Sequence, residues 1–391
     1  MQFWQRQPAR FGLALDIGTS SVSGALFSFH KSHTASPRPY VHEVYRSLLD
    51  TSAGIDAHML SRHAIRGVRE VYEKSLKKSK VPPEEIIVGL SAPFYISKSV
   101  RISKPRKDPD SLITQQEIED LTMRAEADIR KSLDVHMGND LEFFTKSPGK
   151  ILVNGYRMLD PIGKNGQTIE VVTRLEANMR SFREKIEEFL RGHRRETRCT
   201  FTSIPTATFR VLNGIMDTEA GMVFVDIGGE ITEVSAIQDR ALESVVSIPT
   251  GSGAIIRKIA ESFHLSFHDA LFTLRRYTEN TLEDALTRRI EVVVESAVSS
   301  WRLAVSRELE QLFRGGFSPE HIVLSGGGSL LLKYKRGFPQ GVFRTPAQRD
   351  IPVSVIQPHA IQEFFENPSY FMGPEDFGLA CLTLLPFLKE D

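Results

Sequence analysis

Two stretches of the chain alternate short apolar runs with small-residue turns in the same order. Residues 13–29 open with Leu13-Ala14-Leu15-Asp16-Ile17-Gly18-Thr19-Ser20-Ser21-Val22, which reads as strand, tight turn, strand. The pattern returns as Val223-Phe224-Val225-Asp226-Ile227-Gly228-Gly229-Glu230-Ile231-Thr232-Glu233-Val234. A repeat of this kind predicts two structurally equivalent halves. Each copy leads into helical sequence. Residues 57–78 carry Met59, Ala64, Val68, Val71 and Leu76 at helical spacing, and residues 253–263 follow a Gly-Ser-Gly turn. Residues 287–313 read as a long helix stopped by Gly315-Gly316. Next comes the apolar run His321-Ile322-Val323-Leu324-Ser325, a buried strand entering the turn Gly326-Gly327-Gly328.

A block of different character separates the halves. Residues 86–102 are strand-like, and 101–110 form a basic, proline-containing connection. Residues 114–133 read as a helix opened by the capping-box pair Thr114 and Glu117. Residues 151–159, the turn Asp160-Pro161-Ile162-Gly163 and a strand over 168–175 complete a mixed α/β unit. The charged stretch 182–198 reads as a solvated helix face. The expected division is a first lobe from 1–85 and 176–220, an inserted unit at 86–175, and a second lobe at 221–391.

Composition narrows the function classes. With 391 residues, 49 Lys plus Arg and 49 Asp plus Glu, the chain has no net charge, which argues against a general nucleic-acid binder. Its two cysteines, Cys199 and Cys381, are too few for a disulfide framework or a four-ligand zinc site and read as reduced core thiols. Residues 1–10 have no signal-peptide core. The apolar stretch 377–388 is interrupted by Pro386 and falls short of the roughly 20 residues of a membrane-spanning helix. A cytoplasmic protein is expected, with membrane contact peripheral or through a partner. Phe3, Trp4, Arg6 and Arg10 are expected in a disordered tail with at most weak affinity for anionic lipid.

The repeated turn suits a nucleotide phosphate. Glycine permits close backbone approach, successive amides form an anion-binding concavity, and the adjacent carboxylate can hold Mg²⁺ through its waters. Two such loops facing each other would clamp one polyphosphate, with Asp16 and Asp226 on opposite sides of the metal. The backbone of Gly18, Thr19, Ser20 and Ser21 and of Gly228, Gly229 and Glu230 would hold phosphates, joined by Thr232, while Gly326, Gly327 and Gly328 would lie against adenine or ribose. The chain carries no Walker A pattern, and Gly251-Ser252-Gly253 is not a dinucleotide fingerprint. His264 and His268 have helical i, i+4 spacing without the accompanying glutamate of a zinc site.

In this order the three motifs resemble the actin, Hsp70 and sugar-kinase superfamily, and within it the FtsA family of bacterial cell-division proteins. The segment Val153-Asn154-Gly155-Tyr156-Arg157-Met158-Leu159-Asp160-Pro161-Ile162-Gly163 resembles part of the extra domain of that family. The resemblance implies an α/β, two-lobed actin-like ATPase fold with a small inserted FtsA-type 1C domain, ATP and Mg²⁺ in the cleft, and at most slow ATPase activity. It places Gly251 and Gly253 near the nucleotide. It also implies self-association into filaments that link the FtsZ ring to other division proteins at the inner face of the membrane. The chain departs from the family at Ser21, where Lys is usual, at Glu230 and Ile231, which replace Gly and Thr, and at Glu233, which replaces Asp. Glu230 would repel phosphate oxygens unless metal or water intervened, or else point to solvent. An amphipathic terminal helix typical of FtsA is not seen before Asp391. The alternatives are a relative of PilM, the actin-like component of type IV pilus assembly, and a small-molecule kinase, for which no catalytic base is evident.

Overall fold

The computed structural model describes residues 10–29, 38–51, 56–137, 140–314, 317–331, 350–367 and 370–388. Residues 1–9 of the expected tail and the helix stop at Gly315-Gly316 lie outside them, whereas Arg10, also expected in the tail, opens the first strand and pairs with Glu84 at 2.6 Å. Two five-stranded sheets repeat one topology. In the first, β1 (Arg10–Ile17), β2 (Ser21–Phe29) and β3 (Tyr40–Leu48) form an antiparallel meander. Strands β4 (Glu85–Leu90) and β9 (Arg198–Ser203) extend it in parallel, giving the order β3-β2-β1-β4-β9. In the second, β10 (Met222–Ile227), β11 (Thr232–Gln238) and β12 (Ala241–Ile248) make the meander. Strands β13 (His321–Ser325) and β14 (Val353–Val355) run parallel beside it, in the order β12-β11-β10-β13-β14. The repeat seen in two hairpins is therefore a repeat of whole sheets. The central strands β1 and β10 are nearly continuous apolar runs because helices cover both faces of a parallel sheet interior.

Between β4 and β9 the chain builds a third, antiparallel sheet in the order β5-β8-β6-β7, from β5 (Ile96–Pro105), β6 (Leu141–Val153), β7 (Tyr156–Arg157) and β8 (Thr168–Met179). The strand-like stretch 86–102 is thus two strands in different sheets, parted at Ser91–Tyr95, where Pro93 cannot donate to a ladder. Helix α2 (Gln115–Met137) starts on the expected cap, with Thr114 Oγ1 accepting from the Glu117 amide at 3.2 Å. It lays Ile118, Leu121, Ile129 and Leu133 on the third sheet.

Helix α1 (Ala57–Ser79) is capped by Asp56 and ends at Lys80 in the left-handed region, with Leu60, Ala64, Val68 and Val71 buried on the first sheet. The charged helix α3 (Arg180–His193) still buries Phe182, Ile186 and Leu190. Helix α4 (Ile204–Ile215) and the apolar α8 (Phe377–Leu384) fill the space between the two five-stranded sheets, with Cys381 buried among them. Helices α5 (Ser252–Phe263), α6 (Phe267–Thr278) and α7 (Asp284–Arg314) cover the second sheet. His264 caps α5 while His268 lies in α6, so the pair does not share a helix. Among the described residues no helix is long and apolar enough to cross a membrane.

The second sheet is tied to α7 by a buried hydrogen bond from Trp301 Nε1 to Thr232 Oγ1 at 2.9 Å. Thr232→Val removes the acceptor and strands the indole N–H, so a stability loss of about 1–3 kcal/mol is expected in urea unfolding. A variant as stable as wild type would show that this bond contributes nothing.

Candidate functional site

The two meanders place equivalent turns at their tips. Strand β1 pairs with β2 up to Ile17 and Val22, and β10 with β11 up to Ile227 and Thr232, so each loop has four residues. Both loops close the same way. The Gly18 amide donates to the Ser21 carbonyl at 3.1 Å, and the Gly228 amide to the Ile231 carbonyl at 3.0 Å. The loops meet across the interface between the lobes. A Cβ added to Gly229 would stand 2.6 Å from Ser20 Cβ, so only glycine fits there. The Glu230 amide donates to Thr19 Oγ1 at 3.0 Å.

The start of α5 fixes the second loop from behind. The Ser252 and Gly253 amides donate to the Gly228 and Gly229 carbonyls at 3.0 and 2.6 Å. A Cβ on Gly251 would fall 2.5 Å from the Gly228 carbonyl oxygen. Gly251 and Gly253 therefore serve the loop directly, through its carbonyls. The third glycine turn joins the same place. Gly326 has φ +81°, and a Cβ there would strike Asp226 Oδ1 at 2.3 Å. Gly328 packs as tightly on Ile227, while Gly327 is open apart from Glu375 Cβ at 3.7 Å.

Asp16 and Asp226 share this centre. Burial pushes the Asp16 carboxyl up to about 7, and the Asp226 carboxylate beside it adds to the rise. Arg46 opposes this shift, while Asp376 adds to it. Burial also raises Asp226, to about 6. Arg46 is held by Asp376 at 2.5 Å and by Ser23 Oγ at 3.0 Å. Directly across the second hairpin from Asp226, Glu233 is raised to about 8, chiefly by burial, although it accepts from Tyr95 Oη at 2.5 Å and from the Ala92 amide at 3.2 Å. Two adjoining acids that resist ionisation make a setting in which a divalent cation would be stabilising.

Several expected roles change. Gly18 and Gly228 use their amides to close their own turns, and the Glu230 amide is taken by Thr19, so they do not form the expected cradle. The amides of Thr19, Ser20 and Gly229 are among those with no backbone acceptor among the described residues and are candidate donors to an anion. Thr232 is fully buried, donating to the Thr250 carbonyl at 2.7 Å and accepting from Trp301, so its hydroxyl is not a phosphate ligand. Glu230 does not point to solvent. It is 2% exposed, and its two oxygens accept from Arg257 Nη1 and Nη2, each at 2.7 Å. ATP with Mg²⁺ fits the remaining amides and the two aspartates, and the Glu230 charge is neutralised by Arg257. Arg46, Tyr95 and Arg257 went unnoticed in the sequence because their partners lie on other elements. A separate hollow of about 520 Å³, lined by Met216, Val323, Ile356 and Phe364 among others, includes none of the loop residues.

The sequence matches no protein-family profile and no curated protein. Among solved structures, a chain of a PilM–PilN type IV pilus biogenesis complex aligns over 97% of this chain and 99% of its own, with a TM-score of 0.66 and 18% identity. The chain has the actin-like ATPase fold. The ethanolamine utilization protein EutJ from Carboxydothermus hydrogenoformans aligns over 97% and 90%, with a TM-score of 0.47 and 13% identity. MreB5 of Spiroplasma citri, solved bound to ADP, aligns over 96% and 95%, with a TM-score of 0.45 and 11% identity.

The raised acids give a signed pH effect. Asp16, Asp226 and Glu233 hold protons more tightly folded than unfolded, so between about pH 4 and 8 the unfolded chain binds fewer protons and stability falls as pH rises. Thermal melting without divalent cations should show a higher Tm at pH 5.5 than at pH 8, with a smaller gap in Asp226→Asn. An equal gap in that variant would remove Asp226 from the effect.

Proposed function

We propose that the chain binds ATP with Mg²⁺ between its two hairpin loops and acts as a PilM-like cytoplasmic component of a type IV pilus assembly machine. The observation that carries the nucleotide reading is the pair of matching turns. They leave the Thr19, Ser20 and Gly229 amides without backbone acceptors beside the coupled carboxylates of Asp16 and Asp226. The amides would hold the phosphates, and the aspartates would hold the metal through its waters. Bound Mg²⁺ supplies positive charge against the phosphates and the two acids. The opening beside Gly327 would take the nucleoside. No residue is assigned as a hydrolytic base, and nucleotide serves here as an assembly cofactor.

Of the two roles implied by the sequence, division and pilus assembly, the pilus role is supported by the nearly full-length fold match to the PilM–PilN complex chain. The partner proposed on that basis is the cytoplasmic tail of a PilN-like membrane protein, which would bring the chain to the inner face of the membrane. FtsZ binding was implied by the FtsA resemblance, and the fold match adds no support for it.

Titration with a fluorescent ATP analogue and Mg²⁺ tests the site. Saturable binding is expected, with Asp16→Asn or Asp226→Asn weakening it at least about tenfold, the loss of one charge-assisted contact. Wild type that fails to bind defeats the nucleotide reading. Binding of a PilN-type tail peptide but not of an FtsZ tail peptide is expected, and the reverse preference would restore the division role.

A further inference from the structure

In a two-lobed clamp, the ligand gripped by both loops is ordinarily what holds the lobes together. Here the chain supplies that connection itself, at the position where its sequence departs most from the motif it otherwise follows. A glycine at 230 would close the same four-residue turn, so the turn does not explain a carboxylate there. Burying that carboxylate is costly unless it is paired and hydrogen-bonded. The structure provides both, at 2.7 Å to each terminal nitrogen of Arg257.

We propose that Glu230 and Arg257 form a clasp that keeps the lobes closed around the two loops without nucleotide. The connections run from both ends of Glu230. Its amide donates across the interface to Thr19 Oγ1 of the first hairpin at 3.0 Å. Its carboxylate holds the Arg257 guanidinium, whose Nη1 also reaches the Thr51 carbonyl just beyond β3 at 3.4 Å. A bidentate guanidinium–carboxylate pair fixes direction as well as distance, so Arg257 is aimed at Thr51 by Glu230. Gly229 and Ser20 fill the space between these two links by direct contact. Beneath them, Tyr95 and Ala92, which lie outside the expected first-lobe bounds but pack in the core of the first sheet, bond Glu233 of the second lobe.

In this arrangement Glu230 is a positioning residue, and nucleotide enters a cleft that is already closed rather than one it must close. The inference rests on the preceding reading only in treating the cleft as the nucleotide site.

Hydrogen exchange of the nucleotide-free full-length chain tests the clasp without ligand. In peptides covering residues 18–21 and 228–231, the bonded amides of Gly18, Gly228 and Glu230 are expected to be protected in wild type. They should exchange at least about tenfold faster in Glu230→Gly, because local opening is governed by such contacts. Arg257→Met should match Glu230→Gly in both loops. If Glu230→Gly does not fold, Glu230→Gln, which keeps the side-chain volume and loses only the charge, should still speed exchange severalfold. Adding ATP analogue and Mg²⁺ should slow both loops in Glu230→Gly or Glu230→Gln far more than in wild type. Nucleotide-free loops that exchange equally fast in wild type and in whichever Glu230 variant folds would overturn the clasp. Failure of wild type to bind nucleotide would defeat the functional reading alone, since the clasp is judged on the nucleotide-free chain.

Discussion

Two acids that repel each other sit at the tips of the central strands of two separate sheets, and the surrounding fold keeps them together. Asp16 and Asp226 are the next-to-last residues of strands β1 and β10, whose apolar runs are buried in their sheets. Apolar burial sets where each strand ends, and the glycine turns beyond them are tight enough to bring the loops into contact. The raised pKa values reflect the cost of holding both carboxyls away from water. A protein with no use for a cation or an anion between these loops would gain by replacing either acid.

The hairpins were legible because everything that defines them is local. An apolar run, Asp, a small-residue turn and a second run specify strand, loop and register within about a dozen residues. The capping box at Thr114 was legible for the same reason. The charged stretch over 182–198 misled because its apolar residues are few, yet Phe182, Ile186 and Leu190 lie on one helix face. The split within 86–102 depended on Pro93 and on pairing with strands far along the chain, which apolar content alone does not disclose.

The fate of Glu230 depended on a partner further along the chain. One signal was available. A carboxylate in a turn that must be buried calls for a cation, and the Gly-Ser-Gly turn brings to it a helix carrying Arg257 and Lys258. In the packed structure Arg257 answers, while Lys258 reaches Ser296 of α7 at 3.4 Å. Thr232 shows the converse case. Its hydroxyl fitted a phosphate motif in one dimension, but a tryptophan from α7 claims it in three.

The third sheet reaches beyond the lobe that carries it. Lys150 on β6 pairs with Glu243 at 2.7 Å and with Asp239, and Ser99 on β5 donates to the Glu243 carbonyl at 2.7 Å, all on or beside β12 of the opposite lobe. The sheet is thus anchored at one end by the covalent chain and at the other by an ionic contact. It therefore spans both lobes, so a partner that pulled on this sheet would also load the contacts between them.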